Sequence, residues 1–170
     1  MLDKKIIKLI NEQVTKEFFS AYLYLDFANY YADEELQGFA NWFNIQAQEE
    51  RDHALLFIKY LQENSERVVL EAIDKPDKEY ACHKTPLDMA LEHEKFVTAS
   101  IHNIYDAAYE IKDFRTMQFL DWFVKEQMEE ESNAEALIKK YELFGKDAQG
   151  LYLLDTELGT RVYAAPDLTF

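Results

Sequence analysis

At 170 residues and 20.1 kDa, with 48% hydrophobic and 15% aromatic residues, the chain has material for one domain (1–170) with a substantial core, and little for a second. Eighteen Lys and Arg against 33 Asp and Glu give a formal charge of −15, which argues against nucleic acid or an anionic membrane as partner, because phosphate contacts need clustered cations. Cys82 is the only cysteine, so an internal disulfide, a CxxC motif and a cysteine-ligated cluster are excluded, and a reducing cytoplasm is the expected compartment.

Four Gly and three Pro leave few breaks, so long helices are favoured over a sheet and the fold class is all-α. The N-terminus has no apolar signal core and no stretch approaches 18 uncharged apolar residues, which predicts an unprocessed protein without membrane spans. Apolar spacing near 3.6 runs from Ile6 through Ile10, Val14, Ala21, Leu25 and Ala28 to Tyr31, and predicts a first helix, with Asp33 as N-cap of the next segment. A second helix carries Leu36, Phe39, Ala40, Phe43, Ala47, Ala54, Phe57, Ile58 and Leu61 and decays into a polar run at 62–66.

Residues from about 65 to 84 have no sustained period and read as a long connection. A helix of about 28 residues is roughly 42 Å long, and about 20 extended residues reach roughly 60 Å, so the segment can traverse a bundle and leave helices two and three parallel. Thr85-Pro86-Leu87-Asp88 reads as an N-cap, a proline in the first turn and an acid that complements the helix dipole. The third helix continues through Leu91, Val97, Ile101, Tyr105 and Ala108. Asp113 then caps a fourth that runs to Phe144, with Gly145 as its C-terminal cap. A short fifth helix is expected at about 147–157, weakened by Gly150, followed by an exposed tail at 159–170.

Against this background the polar residues of the apolar stripes stand out. Glu17 precedes the pair Glu50-x-x-His53 by 33 residues, and Glu94 precedes Gln127-x-x-Glu130 by the same interval. An i, i+3 pair projects from one face, and each of these residues occupies a position where its helix otherwise places core side chains. Four glutamates and a histidine inside one bundle are tolerable only if protonated, hydrated or neutralised by cations, and two divalent metals supply that compensation. Carboxylate oxygens with one imidazole suit Fe(II), Mn(II) or Zn(II), and ligand type alone does not choose among them. His83, His93 and His102 have no carboxylate partner at such spacing and read as surface or packing residues.

On these motifs the chain resembles the bacterial non-haem ferritins, from Met1 to about Leu158. The resemblance implies a ferritin-like four-helix bundle with a long crossover between helices two and three and a short fifth helix. It also implies iron storage with ferroxidase activity: Fe(II) oxidised by dioxygen or hydrogen peroxide at a di-iron centre, and Fe(III) mineral kept inside a homo-oligomeric shell of twenty-four subunits. Glu17 and His53 would hold the first iron, Glu50 would bridge, Glu94 and Glu130 would hold the second, and Gln127 would hydrogen-bond beside them, with Tyr24 matching the family's tyrosine. Glu49, Glu126 and Glu129 would add a third iron position facing the cavity, although the run that includes Glu126, Glu129, Glu130 and Glu131 also reads as a solvated acidic face. Trp122 and Tyr24 fall near the site by helical phase, as electron donors or as core filling.

Departures narrow the choice. Gln127-x-x-Glu130 replaces the second Glu-x-x-His of bacterioferritins. Asp52 stands where those proteins bind haem through a methionine, so no haem is expected. Met117 and Leu120 fall roughly where animal ferritins place entry-channel acids. The alternatives are a rubrerythrin-like di-iron peroxidase, for which the cysteine-rich module is missing, and a non-catalytic helical scaffold whose buried acids set register.

Overall fold

Gly and Pro enter the four long helical runs only in their first turns, at Gly38 and Pro86, so nothing interrupts the ladders behind them. The computed structural model describes residues 2–168, and the described residues form five helices and no strand. These are α1 (Lys4–Asp33), α2 (Gln37–Glu63), α3 (Thr85–Glu110), α4 (Phe114–Phe144) and α5 (Ala148–Leu158). Asp3, Asp113 and Asp147 each accept a backbone N–H in the first turn of α1, α4 and α5.

Two caps differ from expectation. Asp33 closes α1 instead of capping α2, and Thr85 is the first helical residue of α3, with Lys84 before it. The α1–α2 link turns at Glu35 in the left-handed region (φ 59°) and is anchored by Leu36 in the core. The open N–H groups of α2 are satisfied from elsewhere: Gly38 and Phe39 both donate to the Asp155 carboxylate of α5, at 2.8 and 3.0 Å. Gly38 makes this approach possible, since a Cβ there would stand 1.6 Å from the Asp155 carbonyl oxygen. Gly38→Ala should therefore displace α5 and cost about 3 kcal/mol through overpacking and the lost cap. An unchanged thermal midpoint would contradict that account. Gly150, expected to weaken α5, is required there for a similar reason: a Cβ would stand 2.1 Å from the Phe144 carbonyl oxygen.

Contacts along α1 and α3 fix the topology. Lys5 meets Glu110 at one end, Gln13 meets Ser100 and Ser20 meets His93 along the middle, and Tyr31 donates to the His83 carbonyl at the other end. Hence α3 runs antiparallel to α1 and parallel to α2, and the chain between α2 and α3 traverses the bundle length. It is pinned on the way by Val69 N–H to Asn11 Oδ1 and by the Tyr80 hydroxyl to Asp26.

The core is two apolar blocks. One gathers Ile6, Ile10, Phe57, Leu61, Ile101, Leu120 and Phe123. The other gathers Tyr24, Phe27, Tyr31, Phe39, Phe43, Leu87, Leu137 and, from α5, Leu154 and Leu158. Leu120 is thus a core residue, and the exposed acid on that turn of α4 is Asp121. Leu25, assigned to the buried stripe, is 42% exposed, because α1 has a second apolar face where Phe18, Tyr22, Leu25, Ala47 and Ile73 line an open groove.

The described tail residues are exposed or half-buried, as expected of a tail, but they are docked. Asn41 donates to the carbonyls of Leu158 and Arg161, Arg161 seats on α2, the Tyr163 hydroxyl donates to Asp52, and Trp122 donates to Asp167 at 2.8 Å. Through residue 168 the tail lies along α2 and α4, held by polar contacts that no apolar period announces; residues 169–170 fall outside the described residues.

Candidate metal centre

Between the two apolar blocks lies a polar layer fed by all four long helices. Glu17 (α1), Glu50 and His53 (α2), Glu94 (α3), Gln127 and Glu130 (α4) are all buried, with Glu17 and Glu50 each 1% exposed. Each replaces an apolar residue on its helix's inward face, so the bundle that buries the flanking Phe43, Phe57, Val97 and Phe123 buries them too. Ligand-capable atoms of Glu17, Glu50 and His53 lie within 4.8 Å of one another, and so do those of His53, Glu126 and Glu130. His53 belongs to both groups: Nδ1 stands 3.5 Å from Glu50, and Nε2 stands 3.9 Å from Glu126. A neutral imidazole ligates through one nitrogen and keeps a proton on the other, so a metal at Nδ1 leaves Nε2–H to face Glu126.

Glu94 faces the layer but is held differently. The Tyr24 hydroxyl donates to its Oε1, and Gln127 Nε2 donates to its Oε2 at 3.0 Å. Both carboxylate oxygens therefore have neutral donors. Glu49 is half-buried and paired with Arg161, and Glu129 is exposed; neither enters the two metal-capable groups.

Neighbouring amides orient the acids. Gln13 Nε2 donates to Glu17 Oε1 at 2.7 Å, and the Gln13 carbonyl accepts from Ser100, whose hydroxyl accepts from Lys16. That chain leaves Glu17 Oε2 as a buried oxygen with no hydrogen-bond partner. Gln46, 5% exposed, donates to Glu50 Oε1 at 3.2 Å and to Glu130 Oε2 at 2.8 Å. Gln46 was not singled out from sequence, yet it stands four residues before Glu50, as Gln13 stands four before Glu17. An amide one helical turn before a buried carboxylate was the available signal.

The electrostatics follow from burial. Desolvation, then the nearby Glu50 charge, raises the Glu17 carboxyl to about 8. Desolvation followed by the Glu94 charge holds Glu50 and Glu130 well above the usual carboxylate range, and desolvation also raises Glu94. Four acids compete for negative charge in one buried layer, and no cationic side chain touches Glu17, Glu50, Glu94 or Glu130 among the described contacts other than the His53 ring. The layer is set to exchange protons for metal cations.

The other candidates fall into place around it. Trp122 packs edge-on to His53 with centroids 5.6 Å apart. His93 is a packing residue among Phe19, Tyr24 and Phe96, lowered to about 4 by desolvation. His83 faces Glu34, and His102 is exposed.

Comparison with known proteins agrees with this architecture. The family model described as Ferritin-like domain matches residues 7–144. A probable bacterial non-heme ferritin-like protein of Haemophilus influenzae is 35% identical over 94% of this chain and 96% of its own length. A bacterial non-heme ferritin of Campylobacter jejuni is 36% identical over 91% and 93%. Among solved structures, a closed form of the Archaeoglobus fulgidus ferritin engineered by site-directed mutagenesis superposes with a TM-score of 0.94 at 38% identity, covering 96% of this chain and 100% of that one. The open-pore ferritin of the same archaeon superposes at 0.92, with 38% identity and coverage of 95% and 98%. A five-helix bundle whose polar layer carries ligand-capable acids on four helices, matched over nearly its whole length by these relatives, belongs to the ferritin family.

Proposed function

We propose that the chain acts as a single ferritin-like domain that oxidises Fe(II) in the polar layer and passes the Fe(III) on for storage. The observation that carries this reading is the orphaned Glu17 Oε2, inside a layer of raised carboxyls that no Lys or Arg neutralises among the described contacts. Buried acids in that state favour whatever displaces their protons, and iron is the cargo of this fold family.

In this reading Glu17 and His53 take one Fe(II), Glu94 and Glu130 take the other, and Glu50 bridges them, at the roughly 3.5–4 Å separation usual for two-metal sites. Each Fe(II) gives up one electron. The pair thus supplies the two electrons that, with two protons, convert dioxygen to hydrogen peroxide, or hydrogen peroxide to two waters. Tyr24 and Gln127 hold Glu94 in place and must yield an oxygen when the second iron arrives. Glu126 and Glu129, with Glu49 where it is released from Arg161, would provide a third position toward the α2–α4 face. The open apolar groove on α1 and α2 supports burial against a second copy, and thus a homo-oligomer; the twenty-four-subunit shell and the cytoplasmic location come from the likeness to ferritins. No described helix is long and apolar enough to cross a membrane.

Aerobic addition of Fe(II) to the purified protein tests the reading. Rapid oxidation with many irons per subunit retained through gel filtration is the expected result. Oxidation without retention would favour the peroxidase, and absence of both would favour the scaffold.

A further inference from the structure

Among the described residues no Lys or Arg enters the layer, but its rim holds one. Trp42, Gln46 and Glu49 lie on one face of α2, and together they seat the Arg161 guanidinium. Nη1 donates to the Trp42 carbonyl at 3.2 Å and to Gln46 Oε1 at 3.0 Å, and Nη2 donates to Glu49 Oε2 at 2.6 Å. The guanidinium carbon stands 4.2 Å from the Trp42 ring centroid, a stacking arrangement suited to a planar cation. The side chains of Arg161 and Glu49 are only 17% and 18% exposed, so solvent and salt screen the pair weakly.

We infer that Arg161, delivered by the C-terminal tail, is a resident counter-cation that occupies Glu49 in place of metal and so limits how many irons the centre holds. This rests on the iron-binding reading above.

Two observations carry it. The metal-capable group on this side comprises His53, Glu126 and Glu130 without Glu49, as a carboxylate turned to a guanidinium requires. The tail is also fastened on both sides of the site, by Asn41 and Asp52 on α2 and by Trp122 on α4, so the guanidinium is held at Glu49 at high effective concentration. A divalent cation that uses Glu49 must first displace the Nη2 hydrogen bond of a guanidinium that the Trp42 carbonyl, Gln46 Oε1 and the Trp42 ring hold in place. Arg161 has a positioning role as well: by holding the Gln46 carbonyl, it aims the Gln46 amide at Glu50 and Glu130.

The test is calorimetric titration of the metal-free assembled protein with Zn(II), which binds such sites without redox chemistry. In Arg161→Gln the third equivalent per subunit, measured relative to the first two, should bind about tenfold more tightly than in wild type. In a Glu49→Gln background the same substitution should have no effect on that equivalent, because the competition runs through Glu49. Should Arg161→Gln fail to assemble, Arg161→Lys, which keeps the charge but loses the planar fork, should show the same gain at smaller size. An unchanged or weakened third equivalent overturns the inference, as does a gain that persists without Glu49. If wild type binds no Zn(II) at all, the iron-binding reading itself falls, which is a separate outcome.

Discussion

Glu50→Gln should oxidise Fe(II) about 10²-fold more slowly than wild type in stopped-flow absorbance, while its metal-free form unfolds at a higher temperature. Both effects have one cause. Glu50 sits in the middle of the layer, within reach of Glu17 and His53 and hydrogen-bonded by Gln46, and is among the most strongly perturbed acids. An amide of equal size keeps the packing but cannot bridge two cations, and misplacing reacting partners by about 1 Å is enough for a loss of that size. Without metal, the same exchange relieves Glu17 and Glu94 of a neighbouring charge and should add about 1–3 kcal/mol. Wild-type rates in Glu50→Gln would remove it from the centre. A lowered midpoint of the metal-free form would remove the electrostatic account.

The second large effect is on pH. The Glu17 carboxyl moves from an ordinary 4.5 to about 8 on folding, and Glu50, Glu94 and Glu130 move the same way. Between those values the folded chain binds a proton that the unfolded chain has released, so stability falls as pH rises through the window. The contribution is fully present below about 4.5 and lost above about 8; for Glu17 it is on the order of 4 kcal/mol. The metal-free protein should therefore lose thermal midpoint steadily from pH 5.5 to pH 8. Zn(II) should restore most of the loss at pH 8 and little at pH 5.5, since metal takes the place of the protons. The slope should be shallower in Glu50→Gln. A midpoint that rises with pH in the metal-free protein would contradict the burial-driven shifts.

Much of this was legible in the chain because it was written in periodicity. Glu17, Glu50, Glu94 and Glu130 interrupt stripes of Phe, Val and Leu, and an interrupted stripe is visible without coordinates. The all-α bundle, its crossover and its fifth helix follow from the same pattern and from Asp113 and Gly145 as punctuation. What periodicity does not encode is contact between distant polar groups. Asp155 capping α2 in place of Asp33, and Arg161 finding Glu49, each join residues more than a hundred positions apart through one side chain. Leu25 misled for the opposite reason: its apolar period was real, but the face it serves looks outward.

The polar layer is bounded on both sides by interlocked rings. Phe57 stacks on Phe123 at 4.2 Å and Tyr60 on Phe119 at 4.0 Å below it, while Tyr31 stacks on Phe39 at 4.9 Å and Tyr24 on Phe43 at 5.8 Å above it. Close-packed aromatics of this kind resist compression and fix the spacing of the helices that carry them. Cation exchange in the layer should therefore need side-chain rotations alone, with the backbones of the empty and loaded subunit superposing. The subunit should thus keep its shape as the layer gains and loses cations, because the part that changes is clamped between two parts that do not.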